Sequence, residues 1–229
     1  MSQYLDIYNM IEIYQYFFYN CFLITLGYGF FSRVLSHYCP KFKQLEKYRR
    51  LYIIKNIIKS GSLGLLLMFN YGIFSMILAN KWNNEALYRY ASNFVANDFM
   101  GLLLIPKLPF NTKLHHVTSI MLFIYVTHQD FNTNHAAKLI ITYGAFSVVP
   151  FIVNLYLGLR CMVEPQYLHR LRIASRYIYQ VSCILNIFAH SYIIMINQYY
   201  TSGCLIYLCC LAPIINDDLI LIKWLKKNK

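Results

Sequence analysis

Charge is what this chain has least of. Lysine, arginine, aspartate and glutamate make up 13% of its 229 residues, while 58% are hydrophobic. A soluble domain carries about 25% charged residues. The deficit, with a mean hydropathy of +0.41, points to lipid as the solvent. With no water in the hydrocarbon core, the backbone must satisfy itself, which leaves helices or a closed barrel. The apolar runs approach the length of about 20 residues that a helix needs and do not alternate as barrel strands do, so helices are expected. Acid is the scarcer sign: nine carboxylates stand against 21 lysines and arginines, for a formal charge of +12. No zinc-finger spacing and no basic helix with interleaved aromatics accompanies that excess, so no nucleic-acid partner is expected. Loops facing anionic lipid account for the basicity.

Other absences narrow the function. The seven cysteines are scattered, with no paired spacing that suggests a disulfide framework or a metal site. Cys39 and Cys161 fall beside the membrane, where palmitoylation is feasible, although ordinary free thiols are the favoured reading. No linker, low-complexity segment or internal repeat is visible. The first span is preceded by no lysine or arginine, so it does not read as a cleavable signal peptide. Desaturase histidine boxes, Gly-rich phosphate loops, Gly-x-Ser-x-Gly elbows and His-Glu-x-x-His are all missing. So are the Asp-Arg-Tyr and Asn-Pro-x-x-Tyr signatures of seven-helix receptors, and a lysine in the middle of the last span that could hold retinal. Pro165-Gln166 alone is weak support for a PQ-loop transporter.

What is present reads as seven spans: Ile11–Phe31, Ser60–Ala79, Tyr88–Ile105, Asn111–Thr127, Ala136–Gly158, Tyr177–Ile196 and Gly203–Leu225. The expected fold is all-α, a polytopic membrane protein with about seven helices bundled around a lipid-accessible cavity. Assigning Lys55 and Lys59 to the first loop, 18 basic residues fall on one side and 3 on the other. That bias predicts a lumenal N-terminus and a cytosolic C-terminus. The chain ends Lys226-Lys227-Asn228-Lys229. This tail resembles a dilysine signal for retrieval to the endoplasmic reticulum, and it also serves as a plain positive anchor after Trp224.

Against this apolar background, a few polar residues stand out. Lys113-Leu114-His115-His116-Val117-Thr118-Ser119 places paired histidines at the start of the fourth span. Imidazole can act as a general base or as an acyl-accepting nucleophile near neutral pH. Adjacent helical residues point about 100° apart, so one ring can face a cavity while the other orients it. Two interfacial histidines anchoring a helix end would look the same in sequence. Asp98 lies seven residues before Ile105, roughly 10 Å into the membrane. A carboxylate there costs about 2.5–3.5 kcal/mol unless paired or hydrated. It can orient a histidine across the short turn to the next span, directly or through water, and the difference in depth warns against assuming direct contact. Bonds to Asn93 or Asn97 are the plainer explanation. Asp217 and Asp218 form a second tier with Asn97 and Asn154, and pairing with Lys223 or loop arginines would account for both aspartates. His190 and Asn186, four residues apart, read as packing between helices. His128 and His135 are expected in solvated loops. No metal site and no bound cofactor are expected.

The stretch Tyr90-Ala91-Ser92-Asn93-Phe94-Val95-Ala96-Asn97-Asp98-Phe99-Met100, followed by Lys113-Leu114-His115-His116-Val117-Thr118-Ser119-Ile120, resembles the TLC-domain family. That family includes ceramide synthases, translocation-associated membrane proteins and smaller lipid-homeostasis proteins. Its hallmark is an aspartate in one span and a double histidine opening the next. Ser147-Val148-Val149-Pro150-Phe151-Ile152-Val153-Asn154-Leu155 is loosely similar to its Ser-x-Pro-Phe-x-Asn-Leu segment, one residue longer. The resemblance covers roughly 47–225, a six-helix domain preceded by a helix and basic loop at 1–46 and followed by a tail at 226–229. It implies an endoplasmic-reticulum protein of lipid metabolism whose partners are membrane lipids. Fatty acyl-CoA would be the acyl donor and a sphingoid-type amine the acceptor. His115 and His116 would activate or receive the acyl group, supported by Asp98. Oligomeric state is left open. Three departures mark this chain: no Asp or Glu lies in Ala136–Gly158, Ala145 and Phe146 stand where smaller members carry a glutamate, and no homeobox-like domain precedes the first loop. These leave two rivals: a non-catalytic lipid sensor using the same cavity, and a small-solute transporter, which would need a solvated path and internal symmetry.

Overall fold

The computed structural model describes residues 2–197 and 202–227, and within these the chain is helical with no strand. The helices are α1 (Ser2–Tyr38), α2 (Pro40–Gln44), α3 (Lys47–Phe69), α4 (Tyr71–Ala79), α5 (Asn84–Leu104), α6 (Phe110–Val126), α7 (His135–Ser147), α8 (Phe151–Leu159), α9 (Pro165–Asn197) and α10 (Ser202–Lys227). The last two residues of the dilysine-like tail, Asn228 and Lys229, lie outside the described residues.

Three helices are long and apolar enough to cross a membrane: α3, α9 and α10. Taken together, α7 and α8 meet the same test as one broken span, bent by 48°. The polar α5 and the 17-residue α6 do not. Large apolar side chains point outward on the long helices, such as Phe22 on α1, Phe188 on α9 and Ile206 on α10, each more than half exposed. An apolar surface of that extent is unfavourable in water and suited to lipid.

The second expected span, Ser60–Ala79, differs from what forms. The helix starts at Lys47, takes in Lys55 and Lys59, and breaks at Asn70. An apolar run marks where lipid contact is tolerable, whereas lysine is itself a good helix former and extends the helix into the basic stretch. Residues counted as loop are therefore part of the packed helix, with Lys55 buried at 7% exposure.

The two breaks meet. Pro150 cannot donate to Phe146 O, four residues earlier. Ser182 Oγ on α9 donates to that carbonyl instead, at 2.7 Å. Val149 N turns to Phe146 O at 3.2 Å, and the carbonyl it leaves, Ala145 O, accepts Asn70 Nδ2 at 3.0 Å. Ser60 Oγ on α3 donates to Phe151 O at 3.0 Å. Freed backbone groups buried away from water must find such partners. Beside this junction α3 and α8 pack closely: a Cβ on Gly158 would lie 3.0 Å from Ile57 and 3.3 Å from the Ile53 carbonyl.

The first helix lies along α5. Arg89 reaches Glu12 at 3.0 Å, and the Phe17 ring stacks on Phe123 and meets Phe99 edge-on. All seven cysteines are free thiols.

Candidate functional site

Asp98 and His116 sit at matching depth because each lies six residues from the α5–α6 turn, Asp98 before Leu104 and His116 after Phe110. At 1.5 Å per residue that is about 9 Å on either side. The expected vertical offset therefore vanishes. His116 Nδ1 is 3.0 Å from Asp98 Oδ1, off the axis of a hydrogen bond but in direct contact. No water is needed between them. Both side chains are nearly sealed, with exposures of 3% and 1%.

Two lysines from α3 complete this group. Lys59 Nζ pairs with Asp98 Oδ1, and Lys55 Nζ lies 3.3 Å from His116 Nε2. An ionised carboxylate only accepts, so the Nδ1 edge of His116 carries the proton toward Asp98 and Nε2 presents its lone pair toward Lys55. Gly101 on α5 makes room for this: a Cβ there would lie 3.2 Å from Lys55 Cε and 3.7 Å from His116 Nε2. Asp98 Oδ2 is buried with no hydrogen-bond partner among the described residues.

His115 faces elsewhere. Its Nδ1 is 3.4 Å from Asp217 Oδ2 on α10, also off-axis, and its side chain is 18% exposed. Thr112 Oγ1 reaches Asp217 Oδ1 at 3.5 Å, the limit of a hydrogen bond. Asp218 accepts from Tyr143 at 2.6 Å and from Tyr179 at 2.5 Å. These two aspartates thus meet a histidine, a threonine and two tyrosines and, among the described residues, form no ion pair with Lys223 or a loop arginine as the sequence suggested. Asn97 is buried but held aside, accepting from Ser62 Oγ at 3.0 Å. Asn154 lines the cavity described below. His190 ties α9 to α10, its Nε2 2.8 Å from the Tyr207 hydroxyl, as packing between helices requires.

These groups line a cavity of about 390 Å³, within the size range of small-ligand sites. Its walls come from α3 and from α5 through α10. Lys55, Lys59, His115, His116, Asp217 and Arg160 are among its polar lining. Phe94, Val95, Leu122, Phe123, Val126 and Ile140 make an apolar part. Phe123 and Val126 follow His116 by seven and ten residues on α6, or about 10–15 Å further along the helix. The cavity is therefore amphipathic along its length. Arg160 stacks over the Trp224 ring, 4.3 Å from its centroid, where both border the cavity.

Ligand atoms of Asp98, His115 and His116 lie within 4.8 Å of one another, a spacing that could hold a cation. The ammonium of Lys59 already sits on Asp98 and that of Lys55 at His116. A divalent ion would meet both, so the donor set suits ionic pairing better than metal binding.

Sequence reasoning found Asp98, His115, His116 and Asp217 but missed Lys55, Lys59, Tyr143 and Tyr179. The i, i+4 spacing of Lys55 and Lys59 puts both on one helix face, which was the available signal. No protein-family model matches the chain, and neither a curated protein nor a solved structure matches it.

Proposed function

We propose that this chain is a multi-pass membrane protein that acts on lipid, transferring a fatty acyl group from acyl-CoA to a sphingoid-type amine or otherwise setting membrane lipid composition. The observation that supports it is the amphipathic cavity, with a paired histidine site at its polar end and an apolar length beyond. In this reading seven helical crossings form a bundle around a lipid-accessible cavity, in the endoplasmic reticulum, with the N-terminus lumenal and the C-terminus cytosolic. The resemblance to TLC-domain proteins rests on Asp98, His115 and His116. The carboxylate missing from Ala136–Gly158 has a counterpart in Asp217, which reaches His115 from α10.

The acyl chain lies among Phe94, Leu122, Phe123 and Val126. The thioester carbonyl stands at His115, the more accessible ring. A ring nitrogen of neutral His115 bonds to the carbonyl carbon as the carbon–sulfur bond breaks, and the sulfur leaves as thiolate. Asp217 offsets the positive charge of the acyl-imidazolium so formed. The amine then bonds to the same carbon, imidazole leaves, and an amide results. His116, held between Asp98 and Lys55, accepts the proton that the amine releases.

One observation favours a non-catalytic lipid carrier or sensor as second reading. Lys59 neutralises Asp98, which weakens the support Asp98 can give an imidazolium. Lipidomics of cells expressing the wild type against His115→Ala/His116→Ala, matched for expression and location, separates the two. A histidine-dependent rise in ceramides is the expected result. A histidine-dependent change in other lipids would redirect the acceptor. Identical profiles would sink the enzyme reading and leave binding or solute transport.

A further inference from the structure

Three lysines on the helices are buried or nearly so, and two of them have evident structural work. Lys59 pairs with Asp98. Lys138 donates to Asn197 Oδ1 at 3.0 Å and lies over the Trp82 ring. Lys55 differs. It is 7% exposed, and among the described residues no carboxylate lies within ion-pair distance of it. Its polar contact is Nε2 of His116, 3.3 Å away. Lys59 follows one helical turn later. Removal from water and a cationic neighbour are the two features that turn a lysine into a nucleophile, and both are present. The stem of Lys55 is steered onto the bare backbone face at Gly101. The residue borders the amphipathic cavity, so what reaches its amine enters with an apolar chain.

We propose that Lys55 is a nucleophilic amine that captures long-chain lipid aldehydes as a Schiff base inside the cavity. This rests on the reading of the cavity as lipid-accepting but not on acyl transfer at the histidines. Nζ of the neutral amine bonds to the aldehyde carbon, and the carbonyl π electrons pass to oxygen. His116 Nε2 carries one amine proton to that oxygen, giving a carbinolamine. It carries the second to the departing hydroxyl, so water leaves and the carbon–nitrogen double bond forms. No electron is gained or lost, and hydrolysis reverses the step.

The test uses the full chain in lipid nanodiscs with hexadecanal and sodium cyanoborohydride, followed by peptide mass spectrometry. The reductant traps the imine, adding the mass of the aldehyde less one oxygen. The expected result is labelling of Lys55 at least about tenfold faster than the exposed Lys41 and Lys43, since a positioned amine gains from proximity. This comparison is internal to the wild type and needs no variant to fold. His116→Ala should narrow the difference. Labelling of Lys55 no faster than the surface lysines would overturn the proposal. Labelling by butanal but not by hexadecanal would overturn its lipid part and the cavity reading with it. Fast labelling alongside identical lipidomes in the histidine test would retire acyl transfer and leave this proposal standing.

Discussion

Asp98 is tolerable at its depth because Lys59 supplies a counter-charge and His116 a second contact. Breaking a buried pair by removing one partner leaves an uncompensated charge, which costs about 3–5 kcal/mol. Asp98→Asn and Lys59→Met should each lower stability by that order, read by thermal or detergent denaturation. The double variant should recover most of the loss, because no lone charge remains. Gly101→Ala tests position instead of charge. A methyl 3.2 Å from Lys55 Cε makes that stem give by a few tenths of an ångström. Site-dependent activity should fall a few-fold, less than the roughly 100-fold expected of a full 1 Å displacement, while the melting temperature moves little.

At the scale of elements, the informative feature is the break between α7 and α8. Pro150 leaves Phe146 O without its intrahelical donor, and Ser182 replaces it. Ser182→Ala should cost about 0.5–1.5 kcal/mol, the net worth of one hydrogen bond, because Val149 N–H still reaches Phe146 O. In a Pro150→Ala background the helix can restore its own bond, so the same substitution should cost markedly less. A double-mutant cycle measures the difference. The α6–α7 loop carries a second test. The backbone N–H of Asn132, with the side-chain amides of Asn84 and Asn132, holds the Asp130 carboxyl below its ordinary value. A depressed folded value stabilises the loop above the unfolded value of 3.8, and that support is lost as pH falls through the folded value. Hydrogen exchange in the loop should therefore quicken, relative to its intrinsic rate, only on strong acidification, and Asp130→Ala should show the quickened rate already at neutral pH.

For the whole molecule, three helices pass as spans on length and composition, or four with the bent pair, fewer than the seven read from sequence. The shortfall falls on α1, α5 and α6. Tyrosines and asparagines lower the hydropathy of α1, the site residues themselves make α5 polar, and α6 is short. Polar α5 packs against α1, α3 and α6, which seals Asp98 among protein groups. The proposed orientation predicts that, in intact microsomes, a C-terminal epitope is cleaved by added protease and an N-terminal one is protected. Protection of both would reject the cytosolic C-terminus, and cleavage of the N-terminal epitope would reject the lumenal N-terminus.

The amino-acid sequence by itself determined the solvent, the helical class and the unusual polar residues. Low charge and near-20-residue apolar runs are sums over local composition, and they need no partner to be read. The paired histidines and Asp98 were legible for the same reason, since an ionisable group in an apolar run is conspicuous alone. Tertiary structure decided which charges meet. Lys59 finds Asp98 across 39 residues, and Lys55 finds His116 across 61. Those meetings depend on the rotational phase of α3, on where it starts and on the tight α5–α6 turn. Asp217 reaches His115 because α10 packs on α6, and Ser182 meets Phe146 because α9 packs on α7. Periodicity can assign a residue to a helix face, but packing selects the neighbour against which that face is buried.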